Sequence, residues 1–443
     1  MLIQNELTTR NHLSCKNKKN IKWLQRLKEE SWEAELLVSA IAIFGTFQLF
    51  GLIEWATNKY IDLLPVEQYI YGYMIVFLGL LAISILVSMF VIHFVLRAYW
   101  IGLVGLNSVF PDYSIEDSVY SRIYTEKILA ILPKQEDTIR KVDDLCSVIF
   151  SSAFTILLIY TYMSLFLSIY MLIYNMLLDY IPSYILLIPL FIILSLLVLQ
   201  MIFSVIGNLK KYKNNVWVQT WMFKLVRLTS MVTYGPLYRN LLQVSMVFGS
   251  NFKKKKSLVY LVLAFFASGI FLTLVKFQDT NIPHLILSKN HDVNLMYLSY
   301  YSDQNSDESF LLTPQIQSDI IVGETVKLFI PIFHHERNYQ AETCGEYQED
   351  DSLSSEEERV KSRKFYLDCY EKYNKVTLNG TLLNINFLKK DHAVSEQFGI
   401  VGFIDKELLK KGNNTLVVTK TLGVVKEFTW SIPFYYQPNT LRN

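Results

Sequence analysis

Long runs of apolar residues dominate the first two thirds of the chain, and a short alternation of apolar and polar residues replaces them in the last third. Five runs stand out, at 36–56, 69–96, 147–174, 183–207 and 258–275. A helix needs about 20 such residues to cross a bilayer. Lipid offers backbone groups no partners, so each run is expected to be helical. The second and third runs hold 28 residues each, about 42 Å of helix, and should tilt or reach into the headgroups.

The loops carry a different pattern. Val119, Ile123, Ile128 and Leu132 are spaced as on one helix face within 118–132, and Pro133 ends that stretch. Trp217, Trp221, Leu225 and Leu228 repeat the spacing, and Tyr234-Gly235-Pro236 breaks the segment. The stretch 237–248 is apolar but short and interrupted by Arg239, which predicts an interfacial helix rather than a span.

Beyond 277 the periods shorten. Val326, Leu328, Ile330 and Ile332 alternate with their neighbours, and 293–298, 376–378, 382–387, 416–418 and 427–432 also read as strands. This predicts an all-β, sandwich-like soluble domain at 277–443. The acidic stretch 340–358 reads as a mobile insertion. The fold class is thus a membrane α-helical bundle at 36–275, preceded by a basic arm at 1–35 and followed by the β domain.

Composition sharpens this division. Charged residues make up 19% of the chain and hydrophobic residues 51%, against about 25% charged in an ordinary soluble domain. Basic residues sit unevenly: seven in the N-terminal arm, six in 97–145 and ten in 208–257, against Lys59 alone in 57–68 and 175–182. The positive-inside rule places the first three segments in the cytoplasm and, with five spans, the β domain outside, in the periplasm of a Gram-negative cell. The segment 208–257 holds no acidic residue. Its Lys210, Lys211, Lys213, Trp217, Trp221, Lys224, Arg227, Lys253, Lys254, Lys255 and Lys256 suit a helix on an anionic lipid surface. Enforcing topology is the plainer use of the same charges.

Candidate chemistry is sparse. Polar residues inside the spans are candidates by default: Glu54, His93, Gln48 and Gln200. Glu54 lies near an interface it can reach by snorkelling, His93 reads first as a packing residue, and the glutamines suit bonds between helices. Cys344 and Cys369, in an oxidising compartment, are expected to pair, with free thiols the alternative. His334-His335 matches no zinc spacing. Phosphate-binding, dinucleotide, hydrolase, zincin and EF-hand motifs are absent. No catalytic residue, metal or cofactor is assigned, and a nucleic-acid partner is not expected.

One stretch resembles a known family. Val376-Thr377-Leu378-Asn379-Gly380, followed by 404–418 with its Lys410-Lys411-Gly412-Asn413-Asn414-Thr415-Leu416 turn, resembles galactose-binding-like β-sandwich domains. The resemblance implies a jelly-roll and either a glycan or a protein partner. It covers none of the membrane part. The reading that follows is a non-enzymatic multi-pass sensor, scaffold or envelope-assembly component whose outer domain binds a partner. An oligomeric channel or transporter is the first alternative and a lipid-processing enzyme the second.

Overall fold

The helices in the computed structural model run past the apolar runs that predict them, because backbone hydrogen bonding continues into the polar flanks. The structure describes residues 32–110, 119–178, 180–251, 256–286, 295–304, 310–350, 354–422 and 426–438. Contacts divide the chain into two units. One combines the chain up to Ile53 with Ile75–Asp279, and the other combines Glu54–Met74 with Thr280–Asn443.

The helical unit draws on α1 (Trp32–Leu63), α2 (Tyr69–Val109), α3 (Arg122–Leu129), α4 (Gln135–Leu177), α5 (Ile188–Asn208), α6 (Val216–Tyr234), α7 (Tyr238–Asn251) and α8 (Lys256–Phe277). Four helical stretches are long and apolar enough to cross a membrane: Leu36–Leu63, Val66–Val109, Gln135–Leu177 and Ser183–Asn208. The fifth expected run is helical within α8, where the described apolar part is Leu263–Phe277.

Helix α2 is the hub of this unit. Its Ile85, Leu86, Met89 and Phe90 pack with Ile149 and Ala153 of α4 and Phe265 of α8. Gly269 lets α8 approach so closely that a β-carbon there would collide with Ile85. By contrast, large apolar side chains elsewhere on the spans face outward: Phe44 is 76% exposed and Phe191 73%. In water such faces would be costly, at about 25 cal/mol per Å² of apolar area. Against lipid they cost nothing of the kind.

Loop helices follow their local signals. Ser121 caps α3, accepting from the Tyr124 N–H at 3.3 Å. The Asn215 side chain caps α6 by accepting from the Trp217 and Val218 N–H groups. Gly235 ends α6 at φ 49°, where a β-carbon would strike the Tyr162 hydroxyl.

The second unit holds two sheets. One has the order β1 (Gln315–Ile316), β3 (Thr325–Pro331), β7 (Phe398–Asp405), β6 (Leu388–Asp391). The other runs β2 (Ile320–Ile321), β9 (Lys426–Tyr436), β8 (Gly412–Leu422), β4 (Asn374–Leu378), β5 (Thr381–Leu382). All pairings are antiparallel except β2 with β9. Both sheets contribute to one buried cluster that includes Leu328 and Ile400 from the first and Val418 and Ile432 from the second.

Two strand expectations need correction. Residues 293–294 lie outside the described residues, and Leu298–Tyr300 is a 3-10 turn rather than a strand end. Of 382–387 only Leu382 is in a strand. The rest of that segment crosses from one sheet to the other, burying Ile385 and Phe387 on the way. The unit is also not all β. The helix α10 (Ser355–Tyr373) buries Cys369, Tyr370 and Tyr373 in the shared core. Its start is a capping box, Ser354 bonding the Glu357 N–H while the Glu357 side chain returns to Ser354. The acidic stretch expected to be mobile therefore holds helix at both ends, in α9 (Gln340–Cys344) and the first turn of α10, with 351–353 outside the described residues. Cys344 and Cys369 form a disulfide that ties α9 to α10, with Cα atoms 5.7 Å apart.

Candidate functional site: a cleft built on a buried ion pair

Residues on β8 point inward at every second position: Asn414, Leu416, Val418, Lys420 and Leu422 are all buried. A lysine in that row demands a partner, because an isolated ammonium in an apolar core is prohibitive. Glu336 supplies it. The Lys420 Nζ donates to Glu336 Oε1 at 2.6 Å and to the Pro331 carbonyl at 2.8 Å, with the two side chains 3% and 0% exposed. The Tyr373 hydroxyl donates to Glu336 Oε2 at 2.9 Å, and the Phe333 N–H donates to Oε1 at 3.1 Å. Burial, and then the Glu336 charge, hold the Tyr373 phenol well above its ordinary range.

These bonds fix the 3-10 turn His334–Tyr339, which sits over the pair. The turn meets the end of the helical hairpin, within the same unit. The His334 N–H donates to Asp62 Oδ1 at 2.9 Å, and His335 Nδ1 lies 3.2 Å from the Asp62 carbonyl. The Tyr339 hydroxyl donates to Glu67 Oε2 at 2.9 Å. The His335 ring stacks on Phe333 at 5.7 Å and meets Tyr69 edge-on at 6.0 Å. Burial lowers the His335 pKa, disfavouring the charged imidazolium. The His335 ring is thus occupied by packing and a hydrogen bond, whereas His334 bonds through its backbone N–H and its exposed side chain lines the space beside the turn. Among the described residues no group of three His, Cys, Asp or Glu could hold a metal ion.

Beside the turn opens a cleft of about 580 Å³. One wall is a single helix face, Trp55, Asn58, Lys59 and Asp62, at the i, i+3, i+4, i+7 spacing. The second wall is Phe333, His334 and Arg337, with Phe310 stacked on Phe333 at 6.0 Å. The third is the connection from β6 to β7, residues 394–398. There Glu396 has φ 53°, a left-handed conformation that costs a residue with a β-carbon about 1–2 kcal/mol. Ser395 Oγ lies 3.1 Å from His392 Nδ1. The same nitrogen accepts the Ser395 N–H at 3.2 Å, so the pair closes a turn and is not a poised nucleophile.

The motif residues of the sandwich resemblance are structural as well. Asn379 and Gly380 both have positive φ and form the two-residue turn between β4 and β5. Asn379 Nδ2 donates to Asn414 Oδ1, and the Thr415 N–H donates to Asn379 Oδ1. Asn414 Nδ2 also holds the Lys410 and Gly412 carbonyls. These side chains are spent on locking the strand entry.

The polar candidates of the spans are dispersed. His93 is fully buried, 2.8 Å from Ser39 Oγ, with its ring 5.5 Å from Phe150. One turn on, Arg97 pairs with Asp143 at 2.7 Å and covers the Trp100 ring. Glu54 and Gln48 are exposed and Gln200 is half-buried, so the structure does not gather them into one site. On α6, Trp217 and Trp221 are exposed with rings 6.1 Å apart, and Lys224 lies over Trp221 at 5.1 Å. Leu225, expected on that face, is buried instead. Lys210, Lys211, Lys213 and Arg227 are exposed. Lys253, Lys254 and Lys255 lie outside the described residues, and Lys256 opens α8.

Sequence reasoning missed the Lys420–Glu336 pair and the cleft. The signal for the first was available: a lysine in phase with the inward apolar positions of a strand. Comparison with protein families, with curated proteins and with solved structures returns no match.

Proposed function

We propose that the chain is a non-enzymatic multi-pass membrane protein, a sensor or scaffold whose outer unit binds a partner. The spans number five in this reading, with the basic loops cytoplasmic and the β-rich unit outside. The observation that carries it is the joint construction of that unit from the hairpin end 54–74 and the sheets. A ligand in the cleft touches the last turns of α1 and the β framework together. The resemblance to galactose-binding-like domains favours a glycan or a protein as the macromolecular partner. On the other face of the membrane, the exposed tryptophans and cations of α6 favour contact with anionic lipid. The exposed apolar faces of the Ser183–Asn208 stretch keep a second reading open, a homo-oligomer enclosing a channel.

Two measurements on the full chain separate these readings. A photo-cross-linking residue at Phe403, 51% exposed on the outer unit, should capture a discrete partner in intact cells. Proteoliposomes should show no ion flux above protein-free vesicles. Flux without an adduct would favour the channel and remove the binding role.

A further inference from the structure

The cleft beside the turn holds charges of both signs that do not neutralise each other. Lys59 and Arg337 bring two cations, and Asp62 and Glu396 bring two carboxylates. All four line the same cavity, yet among the described residues none of them is in an ion pair. Charges on a merely solvated surface gain a little by pairing when their side chains can meet. Here they stand on three frames: Lys59 and Asp62 on one helix face, Arg337 on a turn locked by a buried ion pair, and Glu396 on a strained strand connection. Asp62 is further fixed by the His334 N–H. Between them lies an apolar wall of Trp55, Phe310 and Phe333.

We propose that this cleft binds a zwitterionic phosphate ester, its phosphate held by Lys59 and Arg337 and its ammonium by Glu396 and Asp62. A simple anion would leave two carboxylates facing it, and a simple cation would leave Arg337 and Lys59 facing it. A zwitterion satisfies both sets. Guanidinium suits a phosphate because its fork of N–H donors matches two phosphate oxygens. The volume lies within the usual 300–1,000 Å³ range of small-molecule sites. Trp55 belongs to the terminal turns of a helix apolar enough to span a membrane, which places the apolar wall where an acyl chain would arrive. The headgroup could come from a membrane lipid or from a free phosphoethanolamine. The inference rests on reading the chain as a membrane protein with an outer binding unit.

The test is calorimetric titration of the full chain in detergent with dihexanoyl phosphatidylethanolamine. Dihexanoyl phosphatidylglycerol, which lacks the ammonium, is titrated in parallel. Saturable binding of the first, at least tenfold tighter than the second, is expected. Arg337→Gln and Lys59→Gln should each weaken it about tenfold, the loss of one charge-assisted contact. Glu396→Gln should weaken the phosphatidylethanolamine and leave the phosphatidylglycerol unchanged. Lys410→Gln, exposed and outside the cleft, should change nothing. Competition by phosphoethanolamine alone would assign the source as the free zwitterion, and its failure would assign the lipid. Equal binding of the two lipids, no binding to the unaltered protein, or binding untouched by all three cleft variants would overturn the proposal. Carbonate extraction of native membranes is run separately. Release of the chain would defeat the membrane reading, whatever the titration gives.

Discussion

Replacing Lys420 by Met removes one member of a fully buried ion pair and keeps most of the aliphatic stem. Glu336, 0% exposed, would retain its bonds from the Phe333 N–H and the Tyr373 hydroxyl but lose its countercharge. The Pro331 carbonyl would lose the donor Lys420 supplies. Leaving a buried charge uncompensated typically costs about 3–5 kcal/mol. Stability of an ordinary domain is about 5–15 kcal/mol, so the variant gives up a large share. A loss of about 4 kcal/mol raises the open population roughly a thousandfold. Hydrogen–deuterium exchange of the full chain in detergent reads this directly, in peptides from β8 and β9. Core amides there should exchange about a thousand times faster in Lys420→Met. The double variant Lys420→Met with Glu336→Gln removes the stranded charge and should recover more than half of the protection. A single variant costing under about 1 kcal/mol, or a double variant no better than the single, would refute the view that the pair holds the turn.

Acid should loosen the β-rich unit. Burial depresses the His335 pKa below its ordinary 6.5, so an unfolded chain takes up this proton at a higher pH than the folded one. The contribution is complete above about pH 6.5 and is lost as pH falls below it toward the folded value. His392 shifts the same way through burial and its lysine neighbours. Exchange measured from pH 7.5 to 5, corrected for intrinsic rate, should show falling protection, with a smaller slope in His335→Phe. An unchanged slope in that variant would remove His335 from the account. Cys344→Ser with Cys369→Ser opens a loop of 25 residues and should cost about 3 kcal/mol in the chain-entropy view. Unaltered urea resistance would show the cross-link to be dispensable. A peptide of residues 208–228 should bind vesicles containing anionic lipid and lose affinity in high salt, whereas equal, salt-insensitive binding to neutral vesicles would remove the electrostatic part of the α6 reading.

The physical reasons for what the sequence did and did not reveal are specific. Apolar runs of span length have one structural outcome, so four helices long enough to cross a membrane were readable at once. Strand β3, with Val326, Leu328 and Ile330 on one face, announces itself by alternation. Strand β7 does not: Gly399, Ile400, Val401 and Gly402 are all buried, so both faces are apolar or small and no period appears. Helix α10 was hidden by its acidic first turn. The capping box at Ser354–Glu357 and the spacing of Tyr366, Cys369, Tyr370 and Tyr373 were the signals that would have exposed it. The cleft depends on bringing Lys59 and Asp62 beside Arg337 and Glu396, residues separated by hundreds of positions, and no local pattern encodes such a meeting.

The central claim, a membrane protein with its basic loops inside and its β-rich unit outside, is tested most directly by labelling single cysteines in intact cells or spheroplasts. The background is Cys15→Ser, with Cys146 buried and Cys344 and Cys369 oxidised. New cysteines replace Ser302 in the outer unit and Asn214 ahead of α6, both exposed positions. A membrane-impermeant maleimide should modify Ser302→Cys in intact cells and reach Asn214→Cys only after permeabilisation. Labelling of Asn214→Cys in intact cells with protection of Ser302→Cys would invert the topology. Labelling of both without permeabilisation would contradict the spanning arrangement itself.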